Sequence, residues 1–273
     1  MGETLLMTAT INVGSTPQVT IKDDQERLLQ YLCALISWIK SPNISTIVFC
    51  ENSNTSYDFD AIKQFAQNEG KILEVLVFDG NKESQRYGKG YGEGKILDYA
   101  ISNSKYLTDE IDFYKITGRL FISNFETISQ MYANSPNAFK IKYPDDIKIK
   151  LVYIEYFHPI VTNLRIFYKW IERYLISLKT RGLKGPNDPN IWVITNFFKS
   201  NVLFFKKNLL KSYKRVWDRG IYWLEHAYYD DLMKTDFTEL KIDYEIIGRN
   251  ATNGKVFSAD YSDDLKELAK TFM

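Results

Sequence analysis

Histidine and cysteine are nearly missing from this chain of 273 residues, which has two of each. Cys33, inside a helical pattern, and Cys50, at the end of an apolar run, cannot build a disulfide framework and show no metal-type spacing. Two histidines leave little room for a histidine-based metal site. The thiol usage fits a reduced, cytoplasmic setting. Net charge is also lacking: 35 basic and 34 acidic side chains leave +1. No broad basic face for nucleic acid is expected, and any charged partner must be met locally. No run of about 18 apolar residues occurs, and the start, MGETLLMTATINVG, has no basic segment leading into an apolar one. Neither a membrane span nor a secretion signal is therefore expected. The glycine patterns of dinucleotide and P-loop sites are missing as well: no G-x-G-x-x-G follows the first strand, and no G-x-x-x-x-G-K-[ST] exists. No G-x-S-x-G nucleophile elbow and no internal repeat is present.

What is present is a globular composition, 45% hydrophobic and 25% charged, suited to one large domain or two small ones. Aromatics are plentiful, with 19 Tyr, 17 Phe and 5 Trp. Much of that must be core, though tyrosines beside a cleft can also face sugars. Through the first half, strand and helix patterns alternate. TLLMTATINV (4–13) reads as a strand, and Leu28, Leu32, Leu35, Ile36 and Ile39 recur at helical spacing behind Asp23 and Asp24. STIVFC (45–50) and ILEVLVF (72–78) read as buried strands, separated by a short helix in YDFDAIKQFAQNEG that stops at Gly70. GEGKILDYAISNSKYL (92–107) reads as a helix and IDFYKI (111–116) as a fourth strand. Such alternation predicts parallel pairing with right-handed crossovers, hence a layered α/β sheet with flanking helices.

In sheets of this kind ligands sit beyond the carboxyl ends of the strands. Those ends are predicted at 12–16, 51–54, 79–94 and 117–119. The third, DGNKESQRYGKGYGEG, reads as a long glycine-rich loop whose backbone can approach a ligand closely and which leads into a helix N-terminus, a natural anion site. The fourth raises a question of its own. FYKITGRLFISN begins as a buried strand and then presents Lys115, Thr117, Gly118 and Arg119. Burying a charge is costly without a partner, so these residues are expected either to face a ligand or to pair with Glu51, Glu93 or Asp112.

The order TATI, IVFCENSN, KGYGEGKILDYAI and FYKITGRLFISNF resembles bacterial glycosyltransferases that build capsule or lipopolysaccharide O-antigen, whose nucleotide-sugar domain is of the GT-A type. The likeness covers roughly the first half by local motifs. The second half follows mainly in order, through YWLEHAYYDDL (222–232) and YEIIGRNATNGKVF (244–257). The resemblance implies a Rossmann-type, GT-A-like sheet, with residues 1–145 as a donor half and 146–273 as an acceptor half of one continuous domain. It implies a nucleotide-sugar donor, with UDP favoured, and a surface-glycan acceptor that is lipid-linked. Where most GT-A enzymes place Asp-x-Asp to hold a divalent cation, this chain reads KITGR. Lys115 and Arg119 are expected to supply the positive charge in place of Mn or Mg, with Arg119 forming paired contacts to phosphate and Thr117 offering a hydroxyl. A cation held by Asp79 or Glu93 is the less favoured alternative, and a non-catalytic nucleotide-sugar or glycan-binding module is another. By analogy, Thr10, Asn12, Glu51, Asn52 and Ser53 hold the nucleoside, while Arg86, Lys89 and Lys95 reach for phosphate. Strand-end capping and solvated loop charge are the plainer accounts of these residues.

Transfer also needs a base for the acceptor hydroxyl. Glu225 and His226, expected mid-helix between Trp223 and Tyr228, are the first candidates, with a satisfied structural pair as the alternative. Asp230 and Asp231 read as a solvated helix face. YIEYFHP offers Glu155 and His158 as a second pair, His158 more simply as a cap before Pro159. IKIKLVYIEYF (147–157) reads as a strand, the stretch from Leu164 to Leu178 as a helix face, RGLKGPNDPN (181–190) as a breaker, and IWVITNFF as another strand. KSNVLFFKKNLLKSYKRVWDRG reads as one amphipathic basic helix over 199–217, with Val202, Phe205, Leu209, Tyr213 and Val216 on one side and Lys207, Lys211 and Lys214 on the other. It either touches anionic lipid at the inner membrane face or packs on the sheet with its lysines in water.

Overall fold

The computed structural model describes residues 2–16, 19–143, 186–188, 190–217, 222–250 and 253–273. The strand expected over 147–157, the helix face over 164–178 and the pair Glu155 and His158 lie outside them.

The first half follows the expected alternation: β1 (Glu3–Ala9), α1 (Asp24–Ile39), β2 (Ile44–Glu51), α2 (Asp60–Asn68), β3 (Ile72–Val77), α3 (Lys82–Tyr87), α4 (Lys89–Asn103) and β4 (Asp112–Thr117). After it come β5 (Phe121–Ile122), α5 (Phe125–Met131), β6 (Ala138–Phe139), β7 (Ile141–Lys142), β8 (Trp192–Val193), β9 (Phe197–Asn201), α6 (Val202–Asn208), a 3-10 turn at Ser212–Arg215, α7 (Leu224–Leu232), β10 (Thr238–Glu239), β11 (Ile246–Ile247) and α8 (Asp263–Lys270). Seven strands form one sheet in the order β10-β6-β9-β4-β1-β2-β3. β3, β2, β1 and β4 are mutually parallel, while β9 runs antiparallel to both β4 and β6. The protein is thus a layered α/β fold, and strands from both halves of the chain share its sheet.

The middles of the central strands β1 and β2 are a run of apolar residues because both faces are covered. Alternate residues of β1 and β2 divide accordingly. Leu5, Met7, Ile47 and Phe49 pack in the layer that contains α1, and Leu6, Val48 and Cys50 in the layer that contains α4. Helix α1 begins where the acidic pair suggested, with the Asp23 carboxylate accepting from the Glu26 N–H at 2.7 Å. The parallel register pairs Ala9 with Glu51 and Thr8 with Thr117, so these strand ends finish on one edge of the sheet.

Several sequence expectations are corrected. The stretch from Asp79 to Gly94 is no long loop, since it holds α3 and the first turns of α4, separated by Gly88. Its glycines serve close packing: a Cβ on Gly92 would lie 2.2 Å from Ser84 Oγ, and one on Gly94 would lie 2.1 Å from Tyr213 Cβ. The strand expected over IWVITNFF divides into β8 and β9, and β9 continues to Asn201. The single basic helix over 199–217 is in fact the end of β9, the seven-residue α6 and the 3-10 turn. Asn201 caps α6 by accepting from the Phe204 N–H at 3.2 Å, which fixes the helix start later than the periodicity implied. Val202, Phe205, Leu209, Tyr213 and Val216 are all buried. Lys211 pairs with Asp98 at 2.6 Å and Lys206 with Asp109 at 2.5 Å, so part of the basic face is spent on the protein itself. Among the described residues no helix is long and apolar enough to cross a membrane.

Candidate functional site

A cavity of about 340 Å³ opens beyond the carboxyl ends of β1 and β4, where the alternation placed a ligand. Thr8 to Thr10 and Thr117 form its floor, the first turns of α4 one wall, and Trp192 to Asn196 with Glu225 another. Of the residues singled out from sequence, Thr10, Lys89, Glu93, Thr117, Arg119 and Glu225 line it.

Arg119 is 2% exposed, yet among the described residues it has no carboxylate partner. Its Nη1 donates to Gln30 Oε1 at 2.7 Å, and its Nε has no hydrogen-bond partner. Burial lowers its pKa from the usual arginine value, with Tyr31 acting in the opposite direction and Arg27 adding to the lowering. Arg27, which the sequence reading missed, is 4% exposed and lines the same cavity. Its Nε donates to Thr10 O at 2.9 Å and Ile11 O at 3.0 Å, its Nη1 to Ile21 O at 3.2 Å, and its Nη2 to Tyr31 Oη at 3.2 Å. Every one of these acceptors is neutral. The two guanidinium carbons lie 5.8 Å and 6.0 Å from the Tyr31 ring centre. Two like charges thus share one tyrosine in a cavity wall, with no anion of the described protein beside either.

Lys115 behaves differently. Its side chain is fully buried and forms an ion pair with Glu93; its Nζ also donates to Thr195 O at 2.6 Å. Lys115 does not line the cavity, whereas Glu93 and Thr195 do. The direct phosphate contact expected of Lys115 therefore gives way to the pairing that the sequence also allowed. Gly118 is likewise structural, since its N–H donates to Thr8 O at 2.9 Å and a Cβ there would sit 2.7 Å from that oxygen.

The residues expected to hold a nucleoside are mostly occupied in joining the strand-end loops. Glu51 is fully buried and accepts from Ile11 N at 2.9 Å, Ser53 N at 2.9 Å, Thr55 N at 3.3 Å and the Ser53 hydroxyl. Ser53 Oγ accepts from Asn12 N at 2.9 Å, and Asn81 Nδ2 donates to Asn12 O at 3.0 Å. Asn52 Oδ1 accepts from Thr10 Oγ1 at 2.6 Å, leaving its buried Nδ2 unpaired. Asn12, Glu51, Asn52 and Ser53 do not line the cavity, and of them only Asn52 bonds the lining residue Thr10. Arg86 is exposed and lies 5.1 Å from the Tyr87 ring centre, and Lys95 is ion-paired with Glu83. Neither reaches the cavity.

Glu225 and His226 stand in the first turn of α7, not in mid-helix, because Trp223 is the N-cap. Thr195 Oγ1 donates to Glu225 Oε1 at 3.4 Å. His226 is 2% exposed, stacks on Trp223 with ring centres 5.1 Å apart, and accepts at Nδ1 from the Trp223 N–H at 3.5 Å. It lies behind the cavity wall, so of this pair only Glu225 presents a group to the cleft. Nearby, burial together with Glu93 and Glu225 holds the Tyr228 hydroxyl well above the usual tyrosine value. Asp230 and Asp231 are no solvated face. Asp230 is 6% exposed and accepts from Tyr222 Oη at 2.8 Å, while Asp231 accepts from Ser212 Oγ at 2.6 Å and pairs with Arg215.

Arg249 also lines the cavity and also escaped the sequence reading. Its Nε and Nη2 grip Asp260 Oδ2 at 3.0 Å and 2.7 Å, bonds that raise its own pKa. A signal for Arg27 did exist, since it is a lone cation four residues before Tyr31 on the apolar face of α1. Arg249 lies within YEIIGRNATNGKVF, but no feature of that stretch singles it out.

No family model matches the chain, and no curated protein matches it in sequence. Among solved structures it is similar to the UTP-bound UGPase from Acinetobacter baumannii, at 9% identity and a TM-score of 0.41, the match covering 98% of this chain and 92% of that one. It is similar to the apo WbbM bifunctional glycosyltransferase at 12% identity and 0.41, covering 88% of this chain and 38% of that one. It is also similar to core-mannan synthase A from Aspergillus fumigatus in a Mn/GDP form, at 11% identity and 0.38, covering 99% and 82%.

Proposed function

We propose that the cleft takes a nucleoside-diphosphate sugar, UDP-linked, and transfers its glycosyl group to a hydroxyl of a lipid-linked surface glycan. The observation that carries this reading is the pair of buried guanidiniums, Arg27 and Arg119, that line the cavity without a carboxylate between them. An uncompensated buried charge costs several kcal/mol, and a diphosphate offers the oxygens and the double negative charge to offset two of them. Lys89, at the start of α4, and Arg249 add two further cations to the lining. Glu225 takes the proton of the acceptor hydroxyl as its oxygen attacks the anomeric carbon. The bond from that carbon to the phosphate oxygen breaks, and the diphosphate leaves with the electron pair against the arginines. Among the described residues no three His, Cys, Asp or Glu side chains gather to hold a metal. In this reading cations of the chain do the charge work that Asp-x-Asp and a metal do in the enzymes it resembles.

The test is melting temperature with UDP, GDP, CMP and ADP, each in EDTA and in manganese, for the wild type and Arg119→Ala. A ligand at 100 times its Kd stabilises by about 2.7 kcal/mol, roughly 5 °C or more for a chain this long. The expected result is a UDP shift of that size in EDTA that Arg119→Ala loses, together with UDP release from UDP-sugars by the wild type alone. A shift that needs manganese overturns the cation-replacement part, and no shift with any nucleotide overturns the donor site.

A further inference from the structure

The transfer chemistry leaves Trp223 without a use. Its side chain is large, apolar and 41% exposed, two residues before Glu225. It stacks on His226 at an interplanar angle of 23°, and His226 also meets Trp192, edge-on at 79° with ring centres 6.1 Å apart. Trp192 lines the cavity together with Glu225. Three rings therefore run in series from the inside of the cleft to the surface, beside the carboxylate assigned as base. The middle ring is buried and tied to the Trp223 backbone, which gives the outer indole a firm backing.

An exposed indole with a fixed backing suits a ligand with one apolar face and a polar rim. A pyranose ring has that shape, with C–H bonds on one face and hydroxyls around its edge. An indole serving to dip into lipid has no need to connect with a cleft, whereas this series ends at the reacting centre. We infer that Trp192 and Trp223 form an acceptor subsite for a chain of pyranose units, the reacting sugar against Trp192 and the next against Trp223. The inference rests on the proposed transferase for the role of that sugar as acceptor.

Saturation-transfer NMR and tryptophan fluorescence would be read with methyl β-D-glucopyranoside, methyl β-D-galactopyranoside, maltose and lactose, on the wild type, Trp223→Ala and Trp223→Phe. The expected result is saturation of axial ring protons in at least one disaccharide. Its affinity should fall about ten-fold in Trp223→Ala and be largely restored in Trp223→Phe, with the melting temperature of each variant confirming the fold. Absence of transfer to every probe, or equal transfer in wild type and Trp223→Ala, overturns the subsite. So does a Trp223→Ala defect seen only in binding to vesicles of phosphatidylglycerol. The wild-type UDP shift separates the two readings: a UDP shift without sugar binding removes this subsite alone, while sugar binding without any nucleotide shift supports the subsite and removes the transferase.

Discussion

Replacing Glu93 by alanine should destabilise the protein more than replacing its partner Lys115 by methionine, although both changes break the same ion pair. The asymmetry comes from burial, since the Lys115 side chain is 0% exposed and that of Glu93 is 24% exposed. Without Glu93, the ammonium is left in the interior with Thr195 O at 2.6 Å and Thr117 Oγ1 at 3.4 Å, both neutral. A buried charge stripped of its counter-ion costs about 3–5 kcal/mol. Without Lys115, the carboxylate turns toward a cleft filled by water, and methionine keeps most of the buried stem. That loss is about 1–2 kcal/mol. For a chain this long each kcal/mol moves the melting temperature by about 2–4 °C, so the two variants should be separated by several degrees.

Urea unfolding at 25 °C would give the free energies, and the double variant Glu93→Ala with Lys115→Met closes the cycle. The double variant should be more stable than Glu93→Ala alone, because removing the stranded ammonium relieves the larger cost. The reasoning fails if Lys115→Met is the more damaging single change, or if the two effects simply add. The same variants bear on the site. Lys115 does not line the cavity, so Lys115→Met should keep the UDP shift that Arg119→Ala loses.

Gly94→Ala should cost about 1–3 kcal/mol by overpacking, since its Cβ would press within 2.1 Å of Tyr213 Cβ and drive apart the Tyr213 hydroxyl and Asp98, now 2.9 Å apart; an unchanged melting temperature would refute that packing. Burial acts to raise the Asp260 carboxyl, but its bonds from Arg249 and the Tyr261 N–H prevail and hold it below the usual value. A lowered folded pKa stabilises above the unfolded value near 4 and is lost as pH falls through the folded one. Asp260→Asn should therefore lower the urea midpoint at pH 7 by a deficit that shrinks as the pH falls below the unfolded value, and a deficit that does not shrink would refute the linkage. Burial pushes the Cys33 thiol up to about 12 and the Cys50 thiol further still, Cys50 with Glu51 adding to the effect. Iodoacetamide at pH 8 should label neither in the native protein and both after unfolding, and labelling of the native chain would show that one of these helix or strand positions opens.

The parallel core was readable because its signal is local. LLMTA and TIVFC can only be strands covered on both faces, and Asp23 announces α1. The 79–94 stretch misled because four glycines so close together suggest a loop. Gly92 and Gly94 are small so that α4 can approach Ser84 of α3 and Tyr213, and the second of these partners comes from far along the chain. The basic helix misled for a related reason. Its apolar spacing was correct, and all five apolar residues are buried, but a helical period cannot show that its first residues pair with β4 as a strand. Asp230 looked solvated until Tyr222 was placed against it. At the site, sequence found the strand ends and Arg119, but Arg249 enters through a segment 130 residues later than Arg119.

Strand geometry explains why two neighbouring cations, Lys115 and Arg119, met different fates. Side chains alternate across a sheet. Tyr114 and Ile116 pack in the layer of α1 and Phe113 in the layer of α4, so Lys115 must point toward α4. Glu93, in the first turns of α4, is there to meet it. Thr117 shares that parity and ends the strand. The alternation breaks at Gly118, which lies so close to Thr8 O that no side chain fits and the chain turns. Beyond the turn Arg119 is delivered to the opposite layer, against Gln30 and Tyr31 of α1. Helix α1 presents no carboxylate to it there, only a second arginine. One turn of chain thus separates a cation paired within the fold from one that, in the proposed reading, meets the donor's phosphates.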